Sequence, residues 1–200
     1  MSIPTAQSGR HPQGDRAKAR VEGLLEAAAA VFMEKGYDAA TMTEIAARAQ
    51  SSIGSLYQYF PAKDLLADAL LTRYATHFGE AFATVATSAA DRSTDDIARA
   101  MVQSMLQLSA ERAAVVALLD GKTDSNASRM ALRDAARMQI KQVLMAKVPD
   151  LKAERAAATA VLILQILKAV PEFAAEGDLA ATLIHEAEQM IALRIAALIP

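Results

Sequence analysis

Residues 41–60 read TMTEIAARAQSSIGSLYQYF, a stretch that predicts two short helices joined by a four-residue turn. Thr41 and Glu44 have the S/T-x-x-E spacing in which a hydroxyl and a carboxylate each bind an unsatisfied amide at a helix start. Small alanines follow on one face of that helix, where they let a second helix cross closely. The pattern stops at residues 49–52, Ala-Gln-Ser-Ser, which we predict to be the turn. This organisation is typical of a helix-turn-helix.

The second helix of this unit has a signal at each end. Ser52 stands at its N-cap, and Pro61 disfavours helical geometry at the residue before it. Leu56 and Phe60 point back toward the core. When a helix-turn-helix docks on DNA, its second helix enters the major groove, while amides and flanking side chains hold phosphates. The face left for such contacts carries Ile53, Gly54, Ser55, Tyr57, Gln58 and Tyr59.

The clustered aromatic residues have a second interpretation, in which they are core residues of a helical bundle. We expect this burial for Phe60. Tyr57 and Tyr59 are two positions apart, so they point to different sides of a helix and cannot share one buried stripe. At least one of them should be exposed. The agreement of the helix and turn signals favours DNA binding over an incidental helical pair.

The string from Thr41 to Phe60, followed by PAKDLL at residues 61–66, resembles the DNA-binding signature of TetR-family repressors. The resemblance implies that Ser52 caps the recognition helix and that Tyr59 and Lys63 bind phosphates. It also implies base contacts along the exposed face of that helix. The DNA-binding set that we predict is Thr41, Ser52, Ile53, Gly54, Ser55, Tyr57, Gln58, Tyr59 and Lys63.

Two positions depart from the usual pattern of that family. Gln50 stands where a turn glycine is common, and a left-handed conformation costs a residue other than glycine about 1 kcal/mol. Either Gln50 tolerates this conformation or the turn differs. Ile53 stands where lysine, arginine or proline is frequent. It cannot pair with a phosphate, but it can pack on a thymine methyl group.

Composition excludes several other classes of protein. The 200 residues are 53% hydrophobic and 4% aromatic, which suits a helical core of aliphatic side chains. The absence of cysteine excludes a disulfide framework and a thiolate metal site. The histidines are far apart, and no motif of a hydrolase or a phosphate-binding loop is present, so we predict neither an enzyme nor a metal or cofactor. Short apolar stretches and a polar start predict a cytoplasmic protein with no membrane span.

Net charge gives no sign of a nucleic-acid partner, since the formal value is −2. Positive charge is instead concentrated where the chain enters the first helix, at Arg10, Arg16, Lys18 and Arg20. Such an arm can reach phosphates or a minor groove, but a solvated tail is the alternative. For Arg10 and His11 we prefer the tail. For Arg16 and Arg20 the sequence leaves both interpretations open.

The predicted fold class is all-α, with an N-terminal three-helix DNA-binding domain and a larger helical domain for ligand binding and dimerisation. We predict a disordered arm at residues 1–15, a helix-turn-helix domain at 16–62 and an effector-binding and dimerisation domain at 63–200. The first helix should end at Gly36, with Tyr37 folding back on Phe32. Further breaks between helices are predicted at residues 91–94, 120–125, 147–150 and 176–178.

The last two predicted helices, residues 156–170 and 178–198, suit an interface between two copies of the chain. The first is apolar nearly all round, so it must be covered on every side. A four-helix bundle with the partner would do this, and TetR-like regulators usually dimerise in this way. Burial within one chain is the alternative, and Pro171 should kink or end the first helix. The predicted dimerisation residues are Val161, Leu164, Leu183, Met190, Ile191 and Ile195.

The resemblance also implies an effector cavity between the C-terminal helices. Unbranched methionines suit a pocket for varied apolar molecules, although at such spacing they are more often core filler. We predict a pocket lined by Phe78, Met101, Met105, Leu108, Met138, Leu162, Gln165 and Ile166, with Met130 and Met145 on the same long helix as Met138. A ladder of basic residues either meets an anionic effector or, as we prefer, forms a solvated face: Arg129, Arg133, Arg137 and Lys141.

Together these patterns predict a homodimeric transcriptional regulator that responds to a small molecule. The preferred form is a repressor that binds double-stranded DNA at a palindromic operator and is released by its effector. The alternative is a helical ligand-binding dimer without sequence-specific DNA binding. That alternative leaves residues 52–63 without an explanation.

Overall fold

Every regular segment of the computed structural model, which describes residues 12–123 and 125–199, is helical, and those ranges contain no strand. The predicted all-α class is therefore confirmed. The helices are α1 Pro12–Ala39, α2 Met42–Arg48, α3 Ile53–Tyr59, α4 Lys63–Ser88, α5 Thr94–Gln107, α6 Ser109–Gly121, α7 Asn126–Lys147, α8 Ala153–Phe173 and α9 Ala180–Ala196. A single 3₁₀ turn, Gly177–Leu179, precedes α9.

Helix α1 begins before residue 16, where we placed the start of the first domain, and it breaks at Gly36, as predicted. It starts at Pro12, a residue suited to a first turn because its missing N–H would have no helical partner. Residues 12–15, which we placed in the disordered arm, are therefore helical, while residues 1–11 lie outside the described residues. Gly36 breaks the helix with φ 75° and ψ 169°. Beyond it, the Tyr37 ring packs on that of Phe32 at 5.6 Å between centroids, as expected.

Two hydrophobic clusters organise the molecule. The first joins α1, α2, α3, the start of α4 and the apolar side of α6. The second joins the end of α4 with α5, α7, α8 and α9. Helix α4 belongs to both, since Leu66 and Leu70 are buried in the first cluster and Phe78 and Phe82 in the second. The two phenylalanine rings stack at 4.2 Å. A movement of α4 would therefore change the packing of both clusters.

One break between helices was not predicted. The segment between residues 94 and 120 shows no proline or glycine, yet it divides at Leu108, where φ is −89° and ψ is 3°. No side chain caps the start of α6 there. The break separates α5 in the second cluster from α6, whose Val115, Leu118 and Leu119 belong to the first cluster.

Helix α8 is the most apolar long helix. It is long and apolar enough to cross a membrane by length and composition alone, but it packs between α5, α7 and α9 with Ile163, Leu167 and Val170 buried. We predicted a kink or an end at Pro171. The helix continues through this residue and ends at Phe173, so Pro171 lies in its last turn. After the 3₁₀ turn, α9 begins at Ala180 instead of Asp178.

Candidate nucleic-acid interface and effector cavity

The helix-turn-helix has the caps that the sequence predicts. The Glu44 amide donates to the Thr41 hydroxyl at 3.2 Å, and the Thr41 amide donates to the Glu44 carboxylate at 3.1 Å. At the start of α3, the Ser55 amide donates to the Ser52 hydroxyl at 3.1 Å. The Thr41 hydroxyl also donates to the Glu44 carboxylate at 2.9 Å. The hydroxyl proton of Thr41 is thus used inside the cap, which makes Thr41 a helix-capping residue, and its contact with DNA stays a prediction.

The turn between α2 and α3 adopts a left-handed conformation without a glycine. Gln50 has φ 51°, and it is the one residue other than glycine with positive φ in the described ranges. The amides of Gln50 and Ser51 donate to the carbonyls of Ala47 and Ala46, at 3.1 and 2.9 Å. Of the two possibilities left open for Gln50, the structure therefore has the one in which the residue tolerates the strained geometry.

Helix α3 presents an uncharged, largely exposed outer face. Leu56 and Phe60 are buried, as predicted, whereas Tyr57 is 48% exposed and Tyr59 36% exposed. The interpretation of both tyrosines as core residues is therefore wrong. Ile53, Gly54 and Gln58 are also exposed, and Ser55 is half-buried. For a helix of only seven residues, this is a large apolar and aromatic surface in contact with water.

A groove beside α3 brings in the two arginines whose role the sequence left open. Arg16 and Arg20 of α1 line it together with Gln50, Ser51 and Tyr59. The Arg20 guanidinium donates to the Ser51 hydroxyl at 3.5 Å. Within the part of the chain that the structure describes, neither arginine forms an ion pair with a carboxylate. Two guanidinium groups that have no carboxylate partner in the described residues thus flank the end of α3 that carries Tyr59.

Lys63, which we predicted to bind a phosphate, forms hydrogen bonds within the chain. Its ammonium donates to the backbone carbonyls of Tyr37, Asp38 and Ala40, at 2.8, 3.2 and 3.0 Å. It also lies 4.4 Å above the Tyr37 ring. An ammonium group has three N–H donors, and all are used here. Lys63 therefore stabilises the carboxyl end of α1 with all of its donors, and its contact with a phosphate stays a prediction.

The end of α6 meets the DNA-binding unit at Tyr37. The Tyr37 hydroxyl donates to the Asp64 carboxylate at 2.7 Å, and Lys122 forms an ion pair with the same oxygen at 3.0 Å. These two contacts hold the pKa of Asp64 below its usual value, while burial and the Asp64 carboxylate raise the pKa of Tyr37. A Cβ on Gly121 would lie 2.9 Å from the Tyr37 amide nitrogen. This close approach was not predicted, because residues 120–125 have the composition of a loop.

A cavity of about 420 Å³ lies between α4, α6, α7 and α8. Of the residues predicted to line it, Phe78 and Met105 do so. Met101 is fully buried in the core, and Leu108 and Ile166 pack against the core without reaching the cavity. Three other predicted lining residues are wrong, because they are exposed on the outer surface: Met138, Leu162 and Gln165.

The basic ladder of α7 faces inward, contrary to our preference. Arg129 and Arg133 line the cavity, joined by Arg112 of α6 and Lys168 of α8. The interpretation of Arg129 and Arg133 as a solvated face is therefore wrong. The methionines of α7 lie on the opposite side of the helix, where Met130, Met138 and Met145 are exposed. Packing of α7 buries its arginine stems beside the cavity and leaves its thioethers in water.

The outer face of α8 and α9 differs in part from the predicted dimerisation set. Met190 is 56% exposed, and Val161 and Leu183 are half-buried. The other three predicted members are wrong, since they are buried within the chain, with Leu164 at the cavity: Leu164, Ile191 and Ile195. Besides Met190, α8 exposes Leu162 at 53% and α9 exposes Leu193 at 68%, and Leu179 in the 3₁₀ turn between them is 60% exposed. An uncovered apolar face of this kind is typical of an interaction surface.

Comparison with known proteins identifies the fold of the chain and gives a family match for its N-terminal part. Residues 24–70 match the model of the bacterial regulatory proteins of the tetR family. SmeT, the repressor of the Stenotrophomonas maltophilia multidrug efflux pump SmeDEF, aligns with TM-score 0.66 and 22% identity over 90% of each chain. A structure of SmeT with triclosan aligns with TM-score 0.69 and 21% identity over 91% of this chain and 92% of that one.

A TetR-like transcriptional regulator from Rhodococcus sp. RHA1 aligns with TM-score 0.63 and 21% identity, over 94% of this chain and 97% of that one. At these identities the likeness establishes the fold. No curated protein sequence matches this chain. The family model covers α2, α3 and the start of α4, which are the elements that carry the TetR resemblance of residues 41–66.

Proposed function

We propose that this chain, whose residues 24–70 match the model of the bacterial regulatory proteins of the tetR family, is a homodimeric transcriptional repressor released by a small molecule. The observation that carries the proposal is the exposed, uncharged face of α3 beside two arginines that have no carboxylate partner in the described residues. Such a helix can enter a major groove while the arginines bind the phosphates on either side.

Individual residues of α3 suit particular contacts. The side-chain amide of Gln58 can form two hydrogen bonds with the edge of one adenine, and Ile53 can pack on a thymine methyl group. Gly54 has no side chain, and a Cβ there would meet nothing within the protein, so its backbone is free to approach the duplex. Tyr59, Arg16 and Arg20 share one groove, which suits a single phosphate or two adjacent ones.

The proposed dimer uses the outer face of α8 and α9. Leu162, Met190 and Leu193 are exposed there without a covering element in the chain. A second copy would cover them in a two-fold symmetric arrangement. Two recognition helices could then enter successive major grooves, about 34–36 Å apart, so that the binding site would be a palindrome.

Release by an effector requires a path between the cavity and α3. Helix α6 supplies one, because Arg112 and Leu119 line the cavity while Gly121 and Lys122 contact Tyr37 and Asp64. Any shift of α6 on ligand binding would be passed to the end of α1. A coupling free energy of about 1–3 kcal/mol between the two sites would be enough to lift repression. That SmeT has been solved in complex with triclosan supports a small organic molecule as the effector.

The test is a gel shift of the DNA flanking the gene against a random duplex of equal length, at several salt concentrations. The proposal requires tighter binding to the flanking DNA by at least about 1000-fold. The double variant Tyr57→Ala/Gln58→Ala should lose this preference. The matched control Met130→Ala, which is also an exposed apolar truncation, should keep it.

Equal binding to both duplexes that disappears with added salt would instead support the ligand-binding dimer without sequence-specific DNA binding.

A further inference from the structure

Four basic side chains from three helices surround one cavity. Arg112 comes from α6, Arg129 and Arg133 from α7, and Lys168 from α8. All four are half-buried, and no aspartate or glutamate of the described ranges lines the same cavity. Three helices have thus placed a single sign of charge around one cavity.

The charges are not balanced by the rest of the chain as far as the structure describes it. Arg129 has one partner, the exposed Asp120, and its Nε donates to the Ser125 hydroxyl at 3.2 Å. No carboxylate of the described residues forms an ion pair with Arg112, Arg133 or Lys168. The carboxylates adjacent in the chain to Arg112 and Arg133 are bound by other residues: Glu111 by His77 and Arg73, and Asp134 by Arg137.

This concentration of charge has an electrostatic cost. Partial burial, followed by the positive charges of Arg133 and Arg112, lowers the pKa of Lys168. A group whose charged form is disfavoured in this way is stabilised when an anion enters beside it. An anion in the cavity would thus stabilise the charged form of Lys168.

The remaining walls of the cavity are apolar. Tyr74 and Phe78 of α4 lie on one side with their ring centroids 6.3 Å apart, and Met105, Leu132 and Leu164 are among the other apolar residues of the lining. A volume of about 420 Å³ is in the range of pockets that hold small organic ligands, which is about 300–1,000 Å³. An inorganic anion would leave this apolar surface uncovered.

We infer that the cavity binds amphipathic organic anions, molecules with an apolar aliphatic or aromatic body and one carboxylate or comparable acid group. The acid lies among Arg112, Arg133 and Lys168, and the body lies against Tyr74, Phe78 and Leu164. This inference names the class of effector and so rests on the proposed function for its biological meaning. Cationic drugs are excluded by charge repulsion, and neutral molecules leave the basic groups unpaired.

The experiment compares acids with neutral molecules of the same shape on the full-length protein, in the absence of DNA. The fluorescent anion 1-anilinonaphthalene-8-sulfonate reports occupancy of the cavity. It is displaced with 1-naphthaleneacetate and its amide, and with decanoate and decanol. We expect each acid to displace the probe at a concentration at least about tenfold lower than its neutral counterpart, because a charge-assisted hydrogen bond is lost in the latter.

Matched variants locate the binding site. Lys168→Met should weaken displacement by both acids about tenfold and leave the amide and the alcohol unchanged. Lys152→Met removes the same charge from the start of α8, where Lys152 is exposed. It should change displacement by neither the acids nor their neutral counterparts. Thermal denaturation tests folding, since Lys168→Met removes a like charge from the cluster and should not lower the melting temperature.

Neutral molecules that displace the probe as well as the acids, or unchanged acid binding in Lys168→Met, would overturn the inference, as would failure of all four acid and neutral probes to bind. Each of these results leaves the proposed function intact if the flanking DNA is still bound specifically. Conversely, acids that bind as expected to a protein without sequence-specific DNA binding would uphold the inference and reject the proposed function.

Discussion

Lys63 shows that the role of a single residue depends on contacts far along the chain. Its position in the PAKDLL string suggested a phosphate contact, but its partners are carbonyls 23 to 26 residues earlier, at the end of α1. The positive charge of Lys63 also compensates the partial negative charge at the carboxyl end of α1. The residue thus holds α1 against α4, and its effect on DNA binding should be indirect.

Lys63→Met should therefore lower the free energy of unfolding by about 2 kcal/mol, because three charge-assisted hydrogen bonds are lost and replaced only by contacts with water. Urea denaturation measures this loss. The slope of log K against log salt for DNA binding should stay as in the unaltered protein. Arg20→Ala is the comparison, since it should leave stability almost unchanged and reduce that slope by about 1. A reduced slope in Lys63→Met would return the residue to the DNA interface.

Gln58 and Tyr59 are neighbours on α3 with different proposed roles. Gln58→Ala should change the preferred base at one position of each half-site, with a discrimination loss of about 1–3 kcal/mol. Tyr59→Phe removes only a hydroxyl in the groove that Arg16 and Arg20 line, so it should weaken binding to all sequences alike. Selection from a randomised DNA pool distinguishes the two effects. Equal losses on cognate and random DNA for Gln58→Ala would contradict its role in base recognition.

At the scale of elements, the junction between α6 and the Gly36–Tyr37 turn lies within the first hydrophobic cluster, to which Tyr37 and the apolar side of α6 both belong. Gly121→Ala would place a Cβ 2.9 Å from a backbone nitrogen, which cannot move as a flexible side chain can. We expect a loss of about 1–3 kcal/mol in the free energy of unfolding.

Gly23→Ala in α1 is the matched control, because a Cβ there meets nothing within 4 Å. It should stabilise the protein by about 0.5–1 kcal/mol through the higher helix propensity of alanine. Chemical denaturation of both variants tests the pair, and a Gly121→Ala protein as stable as the unaltered one would show that the junction is not close-packed.

The same junction should make stability depend on pH through Asp64. Its pKa is held below the ordinary value by the Tyr37 hydroxyl and by Lys122. The stability that the carboxylate contributes is therefore fully present above its unfolded pKa of about 3.9 and is lost as the pH falls through the lower folded value. The difference in unfolding free energy between the unaltered protein and Asp64→Asn should be constant from about pH 5 to 7 and shrink below about pH 4. A constant difference down to about pH 2 would contradict this account.

The elements that were predicted correctly are those whose signals are local. The caps at Thr41 and Ser52 and the break at Gly36 involve partners within a few residues along the chain. Periodicity was less informative for α7, because it shows which residues share a face and not which face points inward. The arginines and the methionines of α7 both recur at helical spacing. We predicted that the methionines line the cavity, whereas Arg129 and Arg133 do so. The break at Leu108 has no proline, glycine or side-chain cap, so packing alone produces it.

At the scale of the whole molecule, the outer face of α8 and α9 decides whether α3 can act in pairs. Leu193→Glu places a charge at the most exposed large apolar residue of that face, 68% exposed. We expect monomers in sedimentation at micromolar concentration and a loss of about 100-fold or more in affinity for operator DNA, since the second half-site is no longer tethered. Met130→Glu, at a residue of α7 that is 56% exposed, should remain dimeric and bind DNA normally. A dimeric Leu193→Glu protein would show that the two copies meet elsewhere.

The domain limits at residues 15 and 62 remain a prediction, and the packing shows why a sharp boundary is hard to draw. Helix α4 contributes to both hydrophobic clusters, and α6 of the larger domain buries Val115, Leu118 and Leu119 against the DNA-binding helices. The two parts of the chain therefore share helices. In a regulator this sharing is useful, because a ligand in the C-terminal cavity can change the position of α1 and α3 only through elements that contact both.

Hydroxyl-radical footprinting of the purified protein on the DNA flanking its gene tests the central claim most directly. The account predicts two protected half-sites related by a palindrome, with centres one helical turn apart, about 10–10.5 base pairs, or a multiple of it, protected at the same protein concentration. Protection of a single half-site by a monomer, or uniform protection that disappears with salt, would contradict it.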